Sequence, residues 1–270
     1  MTAAASASAF ERATVIGGGG TAGTSTIDAS WYQGRGAFGG VLAALLVRAM
    51  ERAVADDARG LRSLTVHFCG PATEGPVSVT SEIVRAGSRV THATARIMRS
   101  GETLTFATAS FCRERPGASY ALASMPDVPP ATGLGDFPRG VPGVPVFLQH
   151  LDLRLTGDTF PFSGANTPAF SAWVRLREPA PVDAAVAALL LDSLPPGIST
   201  TFDAPRPIAS VDFRVQLFAP LPASASSPED FHLVTVRSRW ADGGYTEELR
   251  ELWSPAGVLL AHCQQLIAIL

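Results

Sequence analysis

The sequence predicts an α+β protein of two tandem modules, each a buried helix wrapped by an antiparallel sheet, packed together as a pseudo-dimer. Three observations carry this. First, the same order of segments occurs twice. A helix opening at Phe38-Gly39-Gly40, a strand running to Pro71 and alternating strands closing on Thr108 to Phe111 are matched by a helix from Val182 to Leu191, a strand running to Pro220 and alternating strands closing on Gln264 to Ile267. Repetition at that scale points to one small fold used twice. Second, the first helix is apolar nearly all round in its first two turns and the second is almost wholly apolar, which demands burial on most sides. Third, each is followed by β-type runs separated by short turn signals, the mark of an antiparallel meander. Residues 1–115 are assigned to an N-terminal module, 116–146 to a Pro/Gly-rich linker and 147–270 to a C-terminal module.

Gly17 to Gly20 come first in chain order. Gly18 to Gly23 fits a dinucleotide-binding fingerprint behind an apparent short strand, Ala13 to Ile16. That fingerprint needs a helix immediately afterwards, so that its N-terminus meets the pyrophosphate. Thr24 to Trp31 is instead β-prone and poor in helix formers, and the glycines read as a strand-linking loop. From Ala37 the pattern turns helical, with nothing strongly polar between Val41 and Val47; Arg48, Glu51 and Arg52 reach solvent, and Gly60 marks the break. Strands are expected over Leu61 to Gly70, Val77 to Ala86, Val90 to Arg99 and Thr103 to Cys112, with turns at Gly87-Ser88 and Ser100-Gly101. Pro116 to Pro145 has no sustained period and is the crossing between the copies. The second module starts near Phe147. Trp173 to Arg177 is a strand; Pro179 and Pro181 set up the second helix, with Asp183 in its first turn, and Pro195-Pro196 stops it. Ile208 to Phe218, Phe231 to Ala241, Tyr245 to Ser254 and Val258 to Ile269 complete the module, with turns at residues 242–244 and 255–257.

Composition narrows the function. The 270 residues are 46% hydrophobic, enough for sizeable cores, and only 17% charged, so more surface than usual is expected in contacts between modules or subunits; a homo-oligomer, a dimer of such chains, is the expectation. A net charge of −3 and a pI near 6.0 leave no broad basic field for nucleic acid. All 21 basic residues are arginine, which removes lysine Schiff-base chemistry and phosphate-loop lysines. The three cysteines, Cys69, Cys112 and Cys263, are widely spaced in apolar strand patterns and read as small buried hydrophobes rather than a disulfide framework or zinc site. The five histidines suit neither a zinc site nor a serine triad, and no Gly-x-Ser-x-Gly elbow occurs. No metal or cofactor is implied. Met1 to Ala9 lacks a basic region followed by an apolar run, and no stretch is long and apolar enough to span a membrane, so a cytoplasmic location is expected.

Three polar residues stand out because the first copy lacks them. Asp192 ends an almost wholly apolar helix, where a carboxylate faces the negative end of the macrodipole. Burial and that dipole would raise its pKa and make it a better base; otherwise it is a solvated helix-end aspartate. Ser210 lies in a strand whose odd positions are apolar, and so shares a face with Asp212, Arg214 and Gln216. Gln265 sits in a strand apolar but for His262 and Gln264, where its amide needs partners. Aligning Pro71 with Pro220 and Gly101 with Gly257 sets Leu61 opposite Ser210, Ala109 opposite Gln265 and Ala49 roughly opposite Asp192. One site per chain is the consequence.

These residues bring out a resemblance. From about Trp31 to Ile269 the chain resembles the acyl-CoA thioesterase II type, a double hotdog. The likeness is carried by Phe38 to Gly40, His67 to Pro71 and Thr108 to Phe111 in the first copy, and by Leu191-Asp192, Ile208 to Asp212 and Val258 to Gln265 in the second. It implies hydrolysis of acyl-CoA, with an aspartate, a hydroxyl residue and a glutamine holding and activating a water. By position these are Asp192, Ser210 and Gln265, with serine standing where the family has threonine. That exchange keeps the hydroxyl but loses the methyl that restricts its rotamer. The oxyanion is expected to fall to backbone N–H groups at Gly39 and Gly40, where missing side chains permit close approach. The alternative is a hotdog protein that binds acyl-CoA or an acyl carrier without hydrolysing it.

Overall fold

The two apolar helices lie side by side against one continuous antiparallel sheet. The computed structural model describes residues 7–138, 140, 143–219, 221–222 and 226–270; Pro220, one anchor of the alignment between the copies, and part of the Met1 to Ala9 stretch lie outside them. A short helix α1 (Ala9–Thr14) and strand β1 (Ala22–Ile27) lead through a two-stranded ribbon, β2 (Tyr32–Gln33) and β3 (Gly36–Ala37), into helix α2 (Gly39–Val54). Strands β4 (Gly60–Phe68), β5 (Gly75–Ala86), β6 (Val90–Arg99) and β7 (Glu102–Cys112) follow. The second half runs β8 (Leu151–Leu155), β9 (Ala169–Leu176), α3 (Ala184–Leu191), β10 (Ile208–Leu217), β11 (His232–Asp242), β12 (Tyr245–Trp253) and β13 (Leu259–Ile269). The strand order is β1-β5-β6-β7-β4-β10-β13-β12-β11-β9-β8, so the pairing of β4 with β10 makes one eleven-stranded sheet of two similar halves. This is the α+β double hotdog arrangement.

The helices are held by burial. Val41 to Val47 of α2 and every residue of α3 are buried, and each large aliphatic side chain so removed from water contributes about 1.5–3 kcal/mol. They run in opposite directions. Asp192, at the end of α3, meets Gly39 at the start of α2, while Asp183, at the start of α3, pairs at 2.6 Å with Arg48 in the later half of α2. Asp183 is the N-cap of α3 rather than a first-turn residue, and its carboxylate accepts from the N–H groups of Ala185 and Val186.

Several expectations change. Residues 13–16 are not a strand: Ser8 and Glu11 form a reciprocal capping box that starts α1, and the helix runs through Thr14. The glycines after it make a turn, bridged from Gly17 to Thr24 and held by Arg52, whose guanidinium donates to the carbonyls of Ile16, Gly20 and Ala22. A strand, β1, follows them, as the linking-loop reading expects. Cys69 lies just past the end of β4 and is exposed, and Cys112 is only partly buried; Cys263 alone fits the buried reading. Residues 116–145 hold only one short 3-10 turn among those described, Ala131–Gly133, yet Met125, Val128, Ala131 and Leu134 pack over Trp173, Leu233 and Trp253 on the sheet face away from the helices.

Candidate active site

Asp192 owes its position to the way α3 stops. Pro195-Pro196 cannot continue the helix, and the last turn tightens, with the N–H of Asp192 bonding to Leu189 O and that of Ser193 to Leu190 O. Asp192 is left as the C-cap, 8% exposed, aimed at the first turn of α2. There Phe38 supplies no side-chain cap, and it stacks on Phe147 at 3.9 Å instead. The first backbone donors of α2 therefore face the carboxylate, and the Gly40 N–H among them favours its ionised form. No larger residue fits. A Cβ on Gly39 would stand 2.7 Å from Asp192 Oδ2 and 2.9 Å from Phe68 Cζ, and one on Gly40 would run into the Phe38 ring and lie 2.9 Å from Leu189 O.

The three residues singled out in the sequence meet here. Ser210 Oγ donates to Gln265 Oε1 at 2.8 Å, and Gln265 Nε2 donates to Asp192 Oδ1 at 3.1 Å. The amide that needed partners spends both ends on them. Ser210 does not share the face of Asp212. A bulge between Ser210 and Asp212 sets one extra residue in β10 against β13, which reverses the alternation and leaves Val211 exposed. The first half carries the same bulge between Leu61 and Ser63 of β4. Matching the bulges makes Leu61 the counterpart of Ser210 and Ala109 that of Gln265, the correspondences given by the paired prolines and the turn glycines respectively. Aligned on the N-caps Phe38 and Asp183, the counterpart of Asp192 is Val47 rather than Ala49.

Two charged members escape the sequence reading. Arg250 and Glu248 of β12 are 2% and 0% exposed, with Arg250 Nε on Glu248 Oε1 at 2.5 Å. Arg250 Nη1 donates to Leu191 O at 2.9 Å and lies 3.4 Å from Asp192 Oδ1. Glu248 also accepts from the Gly197 N–H, in the loop after α3, and from Ser238 Oγ. Strand β12 carries Glu247 and Glu251 on its other face, so charge alternation could not mark which face is buried. The available signal was register: Glu248 stands opposite Gln265. Burial is the largest influence on Asp192 and pushes its carboxyl up to about 6, against the opposing pull of Arg250 and of the Gln265 bond; Glu248 adds to the rise. A carboxyl so placed is half-ionised close to neutrality, suited to taking and returning a proton. Burial also raises the Cys263 thiol well above its ordinary value, so it stays neutral beside the site. Among the described residues no group of three or more His, Cys, Asp or Glu side chains is disposed to hold a metal ion, and no helix is long and apolar enough to cross a membrane.

Comparison with known proteins agrees with this architecture. Residues 27–112 match the family model of the acyl-CoA thioesterase N-terminal domain and residues 122–269 that of the acyl-CoA thioesterase C-terminal domain. A search of the curated proteins found no match. Among solved structures, the chain is similar to a conserved protein of unknown function with hot dog fold from Alicyclobacillus acidocaldarius, at 30% identity over 98% of each chain with a TM-score of 0.87. It is also similar to a provisionally described thioesterase II from Thermobifida fusca YX, at 23% identity over 97% of each chain with a TM-score of 0.81. An acyl-CoA thioesterase II, TesB2, from Mycobacterium marinum shares 19% identity over 97% of this chain and 98% of that one, with a TM-score of 0.77. The last two likenesses speak to the fold alone. Because the C-terminal domain model by itself spans more than half of the sequence, and the N-terminal one most of the remainder, the chain belongs to the acyl-CoA thioesterase family.

Proposed function

We propose that the protein hydrolyses medium- or long-chain acyl-CoA to free fatty acid and CoA by direct attack of an activated water. The observation that carries this reading is the hydrogen-bonded line Ser210, Gln265, Asp192, ending at the N-terminus of α2. Asp192 takes a proton from the water, whose oxygen bonds to the thioester carbon while Ser210 and Gln265 orient it. The C–S bond then breaks, and the proton held by Asp192 passes to the departing sulfur, giving the acid and the free thiol. Negative charge on the carbonyl oxygen is met at the start of α2. The N–H groups of Gly39 and Gly40, at positions that have no intrahelical acceptor, are the donors for it. No covalent acyl-enzyme is required.

The test is thiol release from acyl-CoAs of graded chain length by the wild type and Asp192→Asn. Loss of a general base lowers turnover by about 10²–10⁴-fold, and that drop is the expected result. The chain-length profile of the wild type gives the specificity. Undiminished turnover in the variant would remove Asp192 from the mechanism, and binding without turnover at every chain length would favour the non-hydrolysing alternative.

A further inference from the structure

The two halves of the chain solve the space beneath their helices differently. Helix α2 has 16 residues and α3 only 8, so α2 continues over β6 where α3 has already ended. Matching Ala109 with Gln265 places Ala93 and Ala95 of β6 opposite Glu248 and Arg250 of β12, and Ala107 opposite Cys263. Small residues in the first half let a helix pass; in the second half a buried ion pair occupies the same positions of the sheet, at the end of α3. An apolar pair of equal volume would fill it without taking two charges out of water, a cost that mutual attraction often fails to recover. Arginine adds what an apolar residue lacks: a cation on the last carbonyl of α3, Leu191 O, and beside the Asp192 carboxylate.

We propose that the buried Glu248–Arg250 pair is the positioning element of this site, with Arg250 fixing the end of α3 and the Asp192 carboxylate, and Glu248 fixing Arg250 together with the loop that follows α3. This rests on the reading of Asp192 as the base. The fixed parts form a closed circuit: Arg250 to Leu191 and Asp192 on one side, Glu248 to Gly197 N–H on the other, so both sides of the α3 terminus are tied to one strand. The groups facing Asp192 are Arg250 and Glu248 from β12, Gln265 and the neutral Cys263 from β13, and Gly40 N–H from α2. Only the first two carry charge, with opposite effects on the proton of Asp192.

The experiment is the pH dependence of kcat for the full chain carrying Glu248→Gln, Arg250→Met, the double variant Glu248→Leu/Arg250→Met, and Asp192→Asn in parallel, with Tm recorded for each. Removing the Glu248 charge should move the acid limb to lower pH, and removing the Arg250 charge should move it to higher pH. The double variant, apolar and similar in volume, should keep its fold and lose at least about tenfold in kcat, with KM little changed. Limbs that stay in place or move the same way, or a folded double variant with wild-type kcat, would overturn the proposal. An active Asp192→Asn would instead overturn the reading of Asp192 as the base, on which it rests, so the two failures are separable.

Discussion

At the scale of single residues, the site works against stability, and that opposition can be measured at Asp192. In the folded chain its carboxyl titrates near 6, raised first by burial, whereas in the unfolded chain it returns to its ordinary 3.8. Above pH 6 both states are ionised, and the folded one bears the cost of a buried charge. As pH falls from 6 toward 3.8 the folded chain takes up its proton first and that cost is relieved. Asp192→Asn should therefore raise Tm at pH 8, by roughly 2–4 °C for each kcal/mol recovered, with an advantage that shrinks below pH 6. Thermal melts of both proteins at pH 8 and pH 5 check this; an equal Tm difference at the two values would show that the ionised carboxylate carries no cost. The same scale shows where sequence suffices. Asp192 and Gln265 were legible because each is a polar group in an apolar run, and such groups need partners. The face of Ser210 was not, because one bulged residue reverses strict alternation and nothing in Ala209 to Asp212 announces it.

At the scale of elements, the first turn of α2 is the part least tolerant of change. Its N-cap is Phe38, which leaves backbone donors free for the site where an ordinary capping side chain would occupy them. Gly39→Ala brings a methyl group to 2.7 Å from Asp192 Oδ2 and 2.9 Å from Phe68 Cζ. The ring and the carboxylate cannot both retreat within packed surroundings. The expected cost is about 1–3 kcal/mol of stability, together with a fall in kcat larger than the change in KM. Denaturant melts and steady-state kinetics on that variant would show it; wild-type kcat with an intact fold would mean the start of α2 is not part of the chemistry. Most elements could be read from the chain within a residue or two, since the apolar helices and punctuated strands are strong periodic signals. α1 could not, because its six residues offer no full turn-to-turn pattern, only the Ser8 and Glu11 cap. The Arg250 and Glu248 pair was hidden for another reason: a strand with charges on both faces gives no period from which burial can be inferred.

At the scale of the whole molecule, duplication sets the two helices end to start twice, and the line of Ser210, Gln265 and Asp192 stands at one of these junctions. The opposite end, where α2 finishes and α3 begins, holds a cavity of about 780 Å³ lined in part by Leu61, Phe111, Leu217 and Asp183. Space is present there, but counterparts of Asp192, Ser210 and Gln265 are not. Leu61 and Ala109 stand where Ser210 and Gln265 do, and Val47 where Asp192 does. The donors at the start of α3 are also already used, since Asp183 accepts from Ala185 and Val186 and pairs with Arg48. A substrate carbonyl at this end would find an aspartate in place of the free N–H groups that open α2, and like charge would repel the developing oxyanion. One productive site per chain is therefore the expected outcome. Titrating the protein with a thioether analogue of acyl-CoA, whose missing carbonyl prevents hydrolysis, should abolish turnover at one equivalent per chain. An end point at two equivalents would show that the far cavity also engages ligand in a way that controls turnover, and that the polar residues of the second half are not the whole of the active machinery.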